Sequence, residues 1–339
     1  MQNKLKVGFD ISQIAHTGGV GVYTQNLAKN LLNDEDLEMV FFYSSLRKPY
    51  KGSLKNVKAF RLPPTMFEVL FNRVRTTKIE KFLGDLDIFH SSDWVQPPSN
   101  AKQVTTYHDV IPLKYPGWST SKIVSVHKRR LKIVEKEIDM VIAVSEATKK
   151  DLLEVSQIPE EKIKVIYEGV EERFKIQKKE DIEEFKKKYN LPNNFLMAIG
   201  GIGERKNLKR IKEASKDYNL IVLGEDVQVS REELPLLYAS AELLVYASLY
   251  EGFGLPILEA MACGTLVVTS NVSSMPEIAG EAAVLVKPAS VESIRNGIVK
   301  ALDKNDELVE KGLERAKEFS WEKCAKETAQ VYKELGDKE

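Results

Sequence analysis

The sequence predicts an α/β protein built from two doubly wound domains. Strand-like and helix-like segments alternate along the chain, and alternation of this kind is typical of a parallel sheet with helices on both faces. At 339 residues the chain is longer than one hydrophobic core usually supports. A highly charged stretch interrupts the alternation near the middle. We therefore expect one domain over residues 1–170, a second over 171–319, and a terminal helix over 320–339.

The first domain is predicted to hold seven strands. They are short apolar segments separated by helical patterns such as GVYTQNLAKNLL and ATKKDLLEV. The strand segments are KLKVGFDIS, LEMVFFYSS, VKAFRLP, DIFHSSD, KQVTTYHDV, MVIAVSE and KIKVIYEG.

The second domain follows the charged stretch EERFKIQKKEDIEEFKKKYNLP, which is typical of a linker and a solvated amphipathic helix. Five more strands are predicted after it: NFLMAIGG, NLIVLGE, ELLVYAS, TLVVTSN and AAVLVKP. The last twenty residues predict a long helix with a narrow apolar stripe, which we expect to cross back onto the first domain. That stripe consists of Ala325, Ala329, Val331, Tyr332 and Leu335.

Composition narrows the class of protein. The net charge is zero, from 50 basic and 50 acidic residues, and no segment resembles a nucleic-acid-binding module, so no nucleic-acid partner is expected. No segment approaches the roughly 18 uninterrupted apolar residues of a membrane span. The first apolar run is too short for the core of a signal peptide, so we expect a cytoplasmic protein. Cys263 and Cys324 lie far apart without Cys or His at ligand spacing, which favours buried thiols over a disulfide or a zinc site.

The most informative segment is EGFGLPILE, which places Glu251 and Glu259 on either side of a glycine-rich turn. Glu251 follows a predicted strand, and Glu259 lies in a helix opened by Pro256 and stopped by Gly264. Ligands of open α/β sheets bind beyond the carboxyl ends of the strands, where helix N-termini favour anions. The alternative is that Glu251 only caps a turn and Glu259 is a solvated helix residue.

A first glycine-rich loop, HTGGVGVYTQNL, precedes the first helix with Gly18, Gly19 and Gly21. A dinucleotide-binding fingerprint requires a third small residue three positions later, where this chain has Thr24. A Rossmann dehydrogenase is therefore disfavoured. A flexible turn and a phosphate or sugar contact both remain open for this loop.

A second glycine-rich loop, GGIGERKNLKR, follows the first strand of the second domain and contains Gly200, Gly201 and Gly203. Arg205 and Lys206 then place a forked donor beside a compact cation, a combination that suits a diphosphate. The loop lacks the Gly-Lys-Ser/Thr ending of a P-loop, so nucleoside triphosphate hydrolysis is not indicated.

Taken together, five ordered motifs resemble the retaining glycosyltransferases of family 4. They are GGVG, YHDVIPL, VSEATKKDL with its downstream VIYEGV, GGIGERKNL, and EGFGLPILEAMACGTLVV. The resemblance covers nearly the whole chain and implies the GT-B fold, in which two Rossmann-like domains face each other across a cleft. It also implies transfer of a mannose- or glucose-type sugar from a nucleotide-diphosphate sugar to a glycan or lipid-linked acceptor in cell-envelope or exopolysaccharide biosynthesis. GGVG, HSSDWVQPP and YHDVIPL most resemble mannosyltransferase-like members, which favours GDP-mannose over UDP-sugars such as UDP-glucose.

The resemblance also implies residue roles, with no metal and no other cofactor. Glu259 should accept hydrogen bonds from the donor ribose, and Arg205 with Lys206 should neutralise the diphosphate. Glu251 should contact the hydroxyls of the transferred sugar, and His108 should lie beside sugar and acceptor. The implied catalytic residues are thus His108, Arg205, Lys206 and Glu251; the implied donor-binding residues are Gly203, Glu259, the backbone of Gly252, Phe253, Gly254 and Leu255, and Gly19, which would close over the phosphate from the other domain.

Two features depart from the family or extend beyond it. Between NLIVLGE and SREELPLLYAS only DVQV remains where the family usually has a longer stretch near the nucleobase. Residues 113–137 combine aromatic and basic side chains that suit an anionic membrane surface or a lipid-linked acceptor, as do apolar side chains in the loop TMFEVLFNRVRTTKIEKFL. An ordinary amphipathic helix with a solvated basic face is the alternative. The side chains concerned are Tyr115, Trp118, Lys122, Lys128, Arg129 and Arg130, and Phe67, Leu70 and Phe71.

Two other function classes stay open on sequence alone. One is a different GT-B enzyme, such as a nucleotide-sugar epimerase or a phosphorylase. The other is a non-catalytic protein that binds sugar nucleotides.

Overall fold

The computed structural model describes residues 4–16, 18–201 and 203–337, without the side chains of Pro64 and Asn305. Thr17 of the first glycine-rich motif and Ile202 of the second lie outside the described residues, as do the chain ends. The chain divides into two compact units. The first comprises Met1–Gly169 with Trp321–Glu339, and the second comprises Val170–Ser320.

The first unit is built on a seven-stranded sheet in which every pair of neighbours is parallel. The order is β3-β2-β1-β4-β5-β6-β7, so the chain runs outward from β1 in one direction and then continues from β4 in the other. The strands are apolar over most of their length, as expected of strands covered on both faces. They are β1 Leu5–Asp10, β2 Leu37–Ser44, β3 Val57–Phe60, β4 Ile88–Ser91, β5 Lys102–Tyr107, β6 Met140–Ala143 and β7 Ile163–Val165.

The second unit contains a five-stranded parallel sheet in the order β12-β11-β10-β8-β9. Its strands are β8 Leu196–Ile199, β9 Leu220–Leu223, β10 Leu243–Tyr246, β11 Leu266–Ser270 and β12 Val284–Val286. All twelve predicted strands form, and the predicted α/β, doubly wound class is confirmed for each unit.

Helices connect the strands, and several begin at a side-chain cap of the kind that the sequence favours. Ser145 and Ser290 each accept a hydrogen bond from the backbone amide three residues later. The helices are α1 Gly19–Leu31, α2 Pro64–Phe67, α3 Glu80–Leu83, α4 Ile111–Lys114, α5 Ser121–Glu137, α6 Glu146–Val155, α7 Lys179–Tyr189, α8 Leu208–Ala214, α9 Leu234–Ser240, α10 Leu255–Ala262, α11 Met275–Ala279, α12 Val291–Asp303, α13 Asn305–Lys317 and α14 Trp321–Gly336. None of the helices in the described part of the chain is long and apolar enough to cross a membrane.

The terminal helix α14 belongs to the first unit. All five side chains of its predicted apolar stripe are buried. The hydroxyl of Tyr332 lies 2.6 Å from Nδ1 of His90 at the end of β4, and Lys333 pairs with Asp34 at 3.0 Å and Asp36 at 2.7 Å. These contacts join the last helix of the chain to the loop before β2 and to the centre of the first sheet.

Two parts of the predicted membrane-facing surface are wrong. Phe67 and Phe71 are buried and pack against Phe42 in the core of the first unit. The segment expected to be a loop is helical, with α2 continuing into a π-helix over Glu68–Val74. The aromatic side chains thus supply core volume and are not available to a lipid surface.

Arg130 is the second correction, because it does not lie on the solvated face of α5. Its side chain is buried, it donates to Thr105 Oγ1, and its guanidinium lies 4.5 Å from the centre of the Tyr107 ring. Arg129 is paired with Glu68. The basic character of α5 is therefore weaker at its surface than the sequence predicts.

Candidate functional site

The residues after β8 and β10 form the centre of the candidate site in the second unit. These strands are neighbours in the sheet, although β9 comes between them in the sequence and lies on the far side of β8. Chain connections therefore leave in opposite directions at this point, which is where open α/β sheets bind ligands. Arg205 and Lys206 follow β8, and Glu251 follows β10.

Arg205, Lys206 and Glu251 are in direct contact. Arg205 Nη1 donates to Glu251 Oε2 and, at 3.1 Å, to the carbonyl of Tyr250. Lys206 Nζ lies 2.9 Å from the other carboxylate oxygen, Oε1, and 3.0 Å from the hydroxyl of Tyr246. The Glu251 side chain is 10% exposed and that of Lys206 is 15% exposed. One buried carboxylate thus holds two cations side by side.

Burial and charge act in opposite directions on this cluster. Burial raises the pKa of Glu251, but the charges of Lys206 and Arg205 outweigh it and place that pKa below its ordinary value. Burial lowers the pKa of Lys206, and neighbouring Arg205 lowers it further, while Glu251 opposes both effects. The net result is a lysine whose pKa lies below that of a surface lysine, with Glu251 limiting the decrease.

Asn207 fixes the loop that carries the two cations. Its backbone adopts a left-handed conformation with φ of 57°. Its buried side-chain amide donates to the carbonyl of Ala247 at 2.8 Å and to that of Pro288 at 2.7 Å. Asn207 lies in the motif GGIGERKNL, but no role was assigned to it from the sequence. A signal was present, since asparagine is the residue other than glycine that most readily adopts this conformation after a tight turn.

The turn of residues 252–255 leads directly into helix α10. Gly254 has φ of 108°, and a Cβ there would lie 3.2 Å from Ile257 Cδ1, so this position requires glycine. The hydroxyl of Ser274 donates to the carbonyls of Glu251 at 2.9 Å and Phe253 at 2.7 Å, which fixes the turn. The helix begins at a glycine and therefore has no capping side chain. Its N-terminus carries the partial positive charge that favours an anion.

Glu259 lies in the second turn of α10 and is buried, so it is not the solvated helix residue that the sequence left open as an alternative. Its Oε1 accepts from Arg231 Nη2 at 2.6 Å, and its Oε2 accepts from the hydroxyl of Tyr238 at 2.9 Å. Burial raises its pKa above the ordinary value, against the opposing charge of Arg231. Neither Arg231 nor Tyr238 was singled out from the sequence, because SREELPLLYAS has the pattern of an ordinary helix start.

The first unit carries a second set of polar residues at the carboxyl ends of its strands. His108 follows β5, and its Nδ1 lies 3.1 Å from Oε1 of Glu168, which follows β7. The edge of the Tyr23 ring packs against the imidazole at 4.6 Å between centres. Glu168 belongs to the quoted VIYEGV segment, but its pairing with His108 was not predicted. Gly19 is exposed in the first turn of α1, whose N-cap is Gly18.

No group of three or more His, Cys, Asp or Glu side chains in the described part of the chain is arranged to hold a metal. Cys263 and Cys324 are buried and unpaired, as predicted.

We expect Glu168→Gln to lower the pKa of His108. Burial alone lowers that pKa, whereas the hydrogen bond and charge of Glu168, helped by Asp93 and Asp109, raise it above 6.5. Histidine-selective NMR titration would measure the change. In a His16→Gln background, His108 is distinguishable from the two other histidines because burial holds the pKa of His90 at about 3 and that of His127 at about 4.

Glu168→Gln is also expected to change the free energy of unfolding in a way that depends on pH. A histidine whose folded pKa is raised stabilises the fold below its unfolded pKa of about 6.5, and this contribution is lost as the pH rises through the folded pKa. The cost of Glu168→Gln should therefore be largest near pH 6 and shrink above neutrality. Asp109→Asn, which removes only a minor contributor, is the control. An unchanged His108 titration in Glu168→Gln would contradict the assignment.

Comparison with known proteins identifies the family of the chain. The family model described as glycosyl transferases group 1 matches residues 148–319, and that of glycosyltransferase family 4 matches residues 17–174. The chain is 29% identical to O-antigen chain mannosyltransferase B of Escherichia coli over 73% of its own length and 74% of that protein. It is also 29% identical to the serotype-specific mannosyltransferase WbdA of Escherichia coli, covering 88% of this chain but only 41% of that protein.

Among solved structures, a sucrose-phosphate synthase from Thermosynechococcus elongatus superposes with a TM-score of 0.77. It shares 20% identity and covers 98% of this chain and 99% of that one. At this identity the likeness concerns the fold, and it confirms the predicted GT-B class. The chain therefore belongs to the glycosyl transferases group 1 family and is a glycosyltransferase by fold and sequence.

Proposed function

We propose that the chain is a retaining, metal-independent glycosyltransferase that moves a mannose from a nucleotide-diphosphate sugar to a glycan or lipid-linked acceptor. The observation that carries the proposal is the triad in which Arg205 and Lys206 pair with the buried carboxylate of Glu251, at the carboxyl ends of β8 and β10. Two fixed cations meet at Glu251, and helix α10, whose N-terminus has no side-chain cap, begins four residues later. A diphosphate is the ligand chemistry that such a site fits best.

The charges of the triad suit departure of a nucleoside diphosphate. As the bond from the anomeric carbon to the diphosphate breaks, negative charge grows on the phosphate oxygens and positive charge grows on the sugar. Cations that are already fixed in a poorly solvated site stabilise the departing phosphate without reorganisation. Glu251 holds those cations in place and, in the proposed complex, also meets the hydroxyls of the sugar. The acceptor hydroxyl would bond to the anomeric carbon on the face from which the diphosphate leaves and give its proton to a phosphate oxygen. Retention then requires no carboxylate nucleophile.

Glu259 is proposed to accept hydrogen bonds from the ribose hydroxyls, and the backbone amides of residues 252–255 to contact phosphate or sugar. In the first unit, His108 is proposed as an acceptor-side residue whose protonation is controlled by Glu168. Gly19, at the start of α1, is proposed to approach the phosphate.

The sugar and the pathway rest on the relatives. Both curated relatives are named mannosyltransferases, and one is named for the O-antigen chain. We propose GDP-mannose as the donor, with UDP-sugars next, and assembly of a cell-surface polysaccharide as the setting. Because the chain covers less than half of WbdA, that protein's further activities are not carried over.

Glu259→Gln should abolish stabilisation by nucleotides. A ligand that binds the folded protein raises the thermal midpoint in proportion to the logarithm of its concentration over the dissociation constant. We expect GDP and GDP-mannose to stabilise the wild type more than UDP-, ADP- and dTDP-sugars do, and Glu259→Gln to show none of this shift. Glu314→Gln, on the exposed face of α13, is the matched control. Equal shifts in Glu259→Gln and wild type would refute the donor assignment.

Transfer itself is tested with GDP-mannose and a mannose-terminated glycan. NMR of the product should show the anomeric configuration of the donor retained, and donor alone should yield no epimer. Inversion would refute the retaining mechanism. Conversion of the donor without acceptor would favour an epimerase, and binding without any turnover across acceptors would favour a non-catalytic role.

A further inference from the structure

The cluster around Glu259 contains a cation that the proposed donor site does not yet use. Arg231 lies in the short connection between β9 and α9. Its side chain bridges two carboxylates: Nε and Nη2 donate to Glu171 Oε2 at 2.9 Å and 2.6 Å, and Nη2 also donates to Glu259 Oε1 at 2.6 Å.

The guanidinium is held on a third side as well. Its central carbon lies 4.8 Å from the centre of the Phe174 ring, and that ring packs edge-on against Tyr238 at 6.0 Å. Phe174 and Tyr238 are both buried. Glu171 and Phe174, which both lie outside the EGFGLPILE motif, therefore fix the position of Arg231.

Glu259 retains acceptor capacity in this arrangement. A carboxylate accepts about four hydrogen bonds. Each Glu259 oxygen receives one side-chain hydrogen bond from the described residues, Oε1 from Arg231 and Oε2 from Tyr238. About one acceptor position thus remains on each oxygen, which is the pattern that the two neighbouring hydroxyls of a ribose require.

We propose that Arg231 is a positioning residue for the donor nucleotide, which orients the Glu259 carboxylate and keeps it available to the ribose hydroxyls. The proposal rests on the assignment of Glu259 to the ribose. Arg231 acts through Glu259 and need not touch the nucleotide. Glu259, whose carboxylate would accept hydrogen bonds from the ribose, lies in the motif EGFGLPILE. Arg231, which orients that carboxylate, lies 28 positions earlier and outside the motif.

The pH dependence of nucleotide binding distinguishes positioning from a merely structural role. The titratable groups that surround Glu259 are Arg231, Tyr238, Glu171 and Cys263. The pKa of Tyr238 lies well above 10 and that of Cys263 at about 12, so both stay neutral between pH 5.5 and pH 9. Burial raises the pKa of Glu259, and Arg231 supplies the largest opposing effect. Removing Arg231 should therefore raise the pKa of Glu259 further and favour its protonated form.

The experiment measures GDP binding to the full chain by calorimetry at pH 5.5, 7 and 9, with each variant compared with wild type at the same pH. We expect Arg231→Gln to weaken binding about tenfold to a hundredfold at pH 7, the usual consequence of losing a hydrogen bond to a charged group. The deficit should be smaller at pH 9 than at pH 7, because a higher pH favours the ionised form of Glu259. Arg231→Lys, which keeps the charge, should restore part of the affinity at pH 7.

Arg173→Gln is the matched control, because Arg173 pairs with the same Glu171 at 3.3 Å but is not paired with Glu259. It should bind GDP as wild type does at every pH. A deficit in Arg231→Gln that is equal at pH 7 and pH 9, or no deficit beyond that of Arg173→Gln, would overturn the positioning role. Failure of the ribose assignment would look different, because Glu259→Gln would then bind GDP like wild type.

Discussion

Lys206→Ala is expected to reduce turnover of the nucleotide-sugar by about a hundredfold to a thousandfold, the cost of removing one preorganised charge from a site where charge develops. Lys206 Nζ is fixed by Glu251 Oε1 at 2.9 Å and by the Tyr246 hydroxyl at 3.0 Å. Its position is therefore set before the donor arrives. The loss should appear mainly in kcat, because the charge on the diphosphate is greatest when the bond to the sugar is broken.

Steady-state kinetics with GDP-mannose and a glycan acceptor would measure this effect. Lys212→Ala is the control, since Lys212 also follows the β8 loop but forms an exposed pair with Glu225. It should retain full activity. Circular dichroism at the assay temperature separates loss of chemistry from loss of fold. Wild-type turnover in Lys206→Ala would remove the triad from the mechanism.

The sequence predicts the strands, which depend on local patterns, but it does not predict the order of the strands in each sheet. The strands were predictable because runs such as LEMVFFYSS and TLVVTSN are apolar over most of their length, as buried parallel strands are. The order of strands was not predictable from these runs. Only the structure places β10 beside β8, and this adjacency is what brings Glu251 to Arg205 and Lys206.

The failures have a common physical cause, which is that local patterns do not record long-range contacts. Phe67 and Phe71 were expected at a membrane-facing surface as apolar side chains of a predicted loop, yet both rings pack against Phe42 of β2. Arg130 was counted as solvated, although the Tyr107 ring and Thr105 hold it inside the first unit. In each case the partner that decides burial lies more than 20 residues away.

The candidate site shows the same division. Sequence motifs contained the charged residues that would meet a donor, but they did not show which residues hold them in place. Asn207, Arg231 and Glu168 each act through a contact with a distant segment. Glu251 illustrates the point most clearly, because the family resemblance implies a sugar contact, while its geometry shows a carboxylate already engaged by two cations.

Glu251→Leu should therefore destabilise the second unit by about 3–5 kcal/mol, the usual result of removing one partner from a buried ion cluster. The variant leaves Arg205 and Lys206 adjacent, with no carboxylate between them. Chemical denaturation followed by far-ultraviolet circular dichroism would measure the change in the free energy of unfolding. Glu225→Leu is the control, because Glu225 forms an exposed pair with Lys212. A loss below about 1 kcal/mol, as for exposed pairs, would contradict this account.

The pH dependence of that loss has a definite sign. Because the pKa of Glu251 is lowered in the folded protein, its stabilising contribution is present above its unfolded pKa and disappears as the pH falls through the folded value. The difference between wild type and Glu251→Leu should thus be complete at neutral pH and decrease in acid. It should also decrease in alkali, because Lys206, whose pKa burial already lowers, then loses its proton and the repulsion of Arg205 ends.

A second substitution separates stability from chemistry. Replacing a buried ion pair by apolar side chains of similar volume is often neutral, whereas removing one partner is not. Glu251→Leu combined with Lys206→Met should therefore recover most of the stability lost in Glu251→Leu alone. It should recover no activity, because the charge that meets the departing diphosphate is absent. Recovery of stability together with turnover would show that the triad serves only the fold, and recovery of stability alone would show that the buried cations are retained for the reaction.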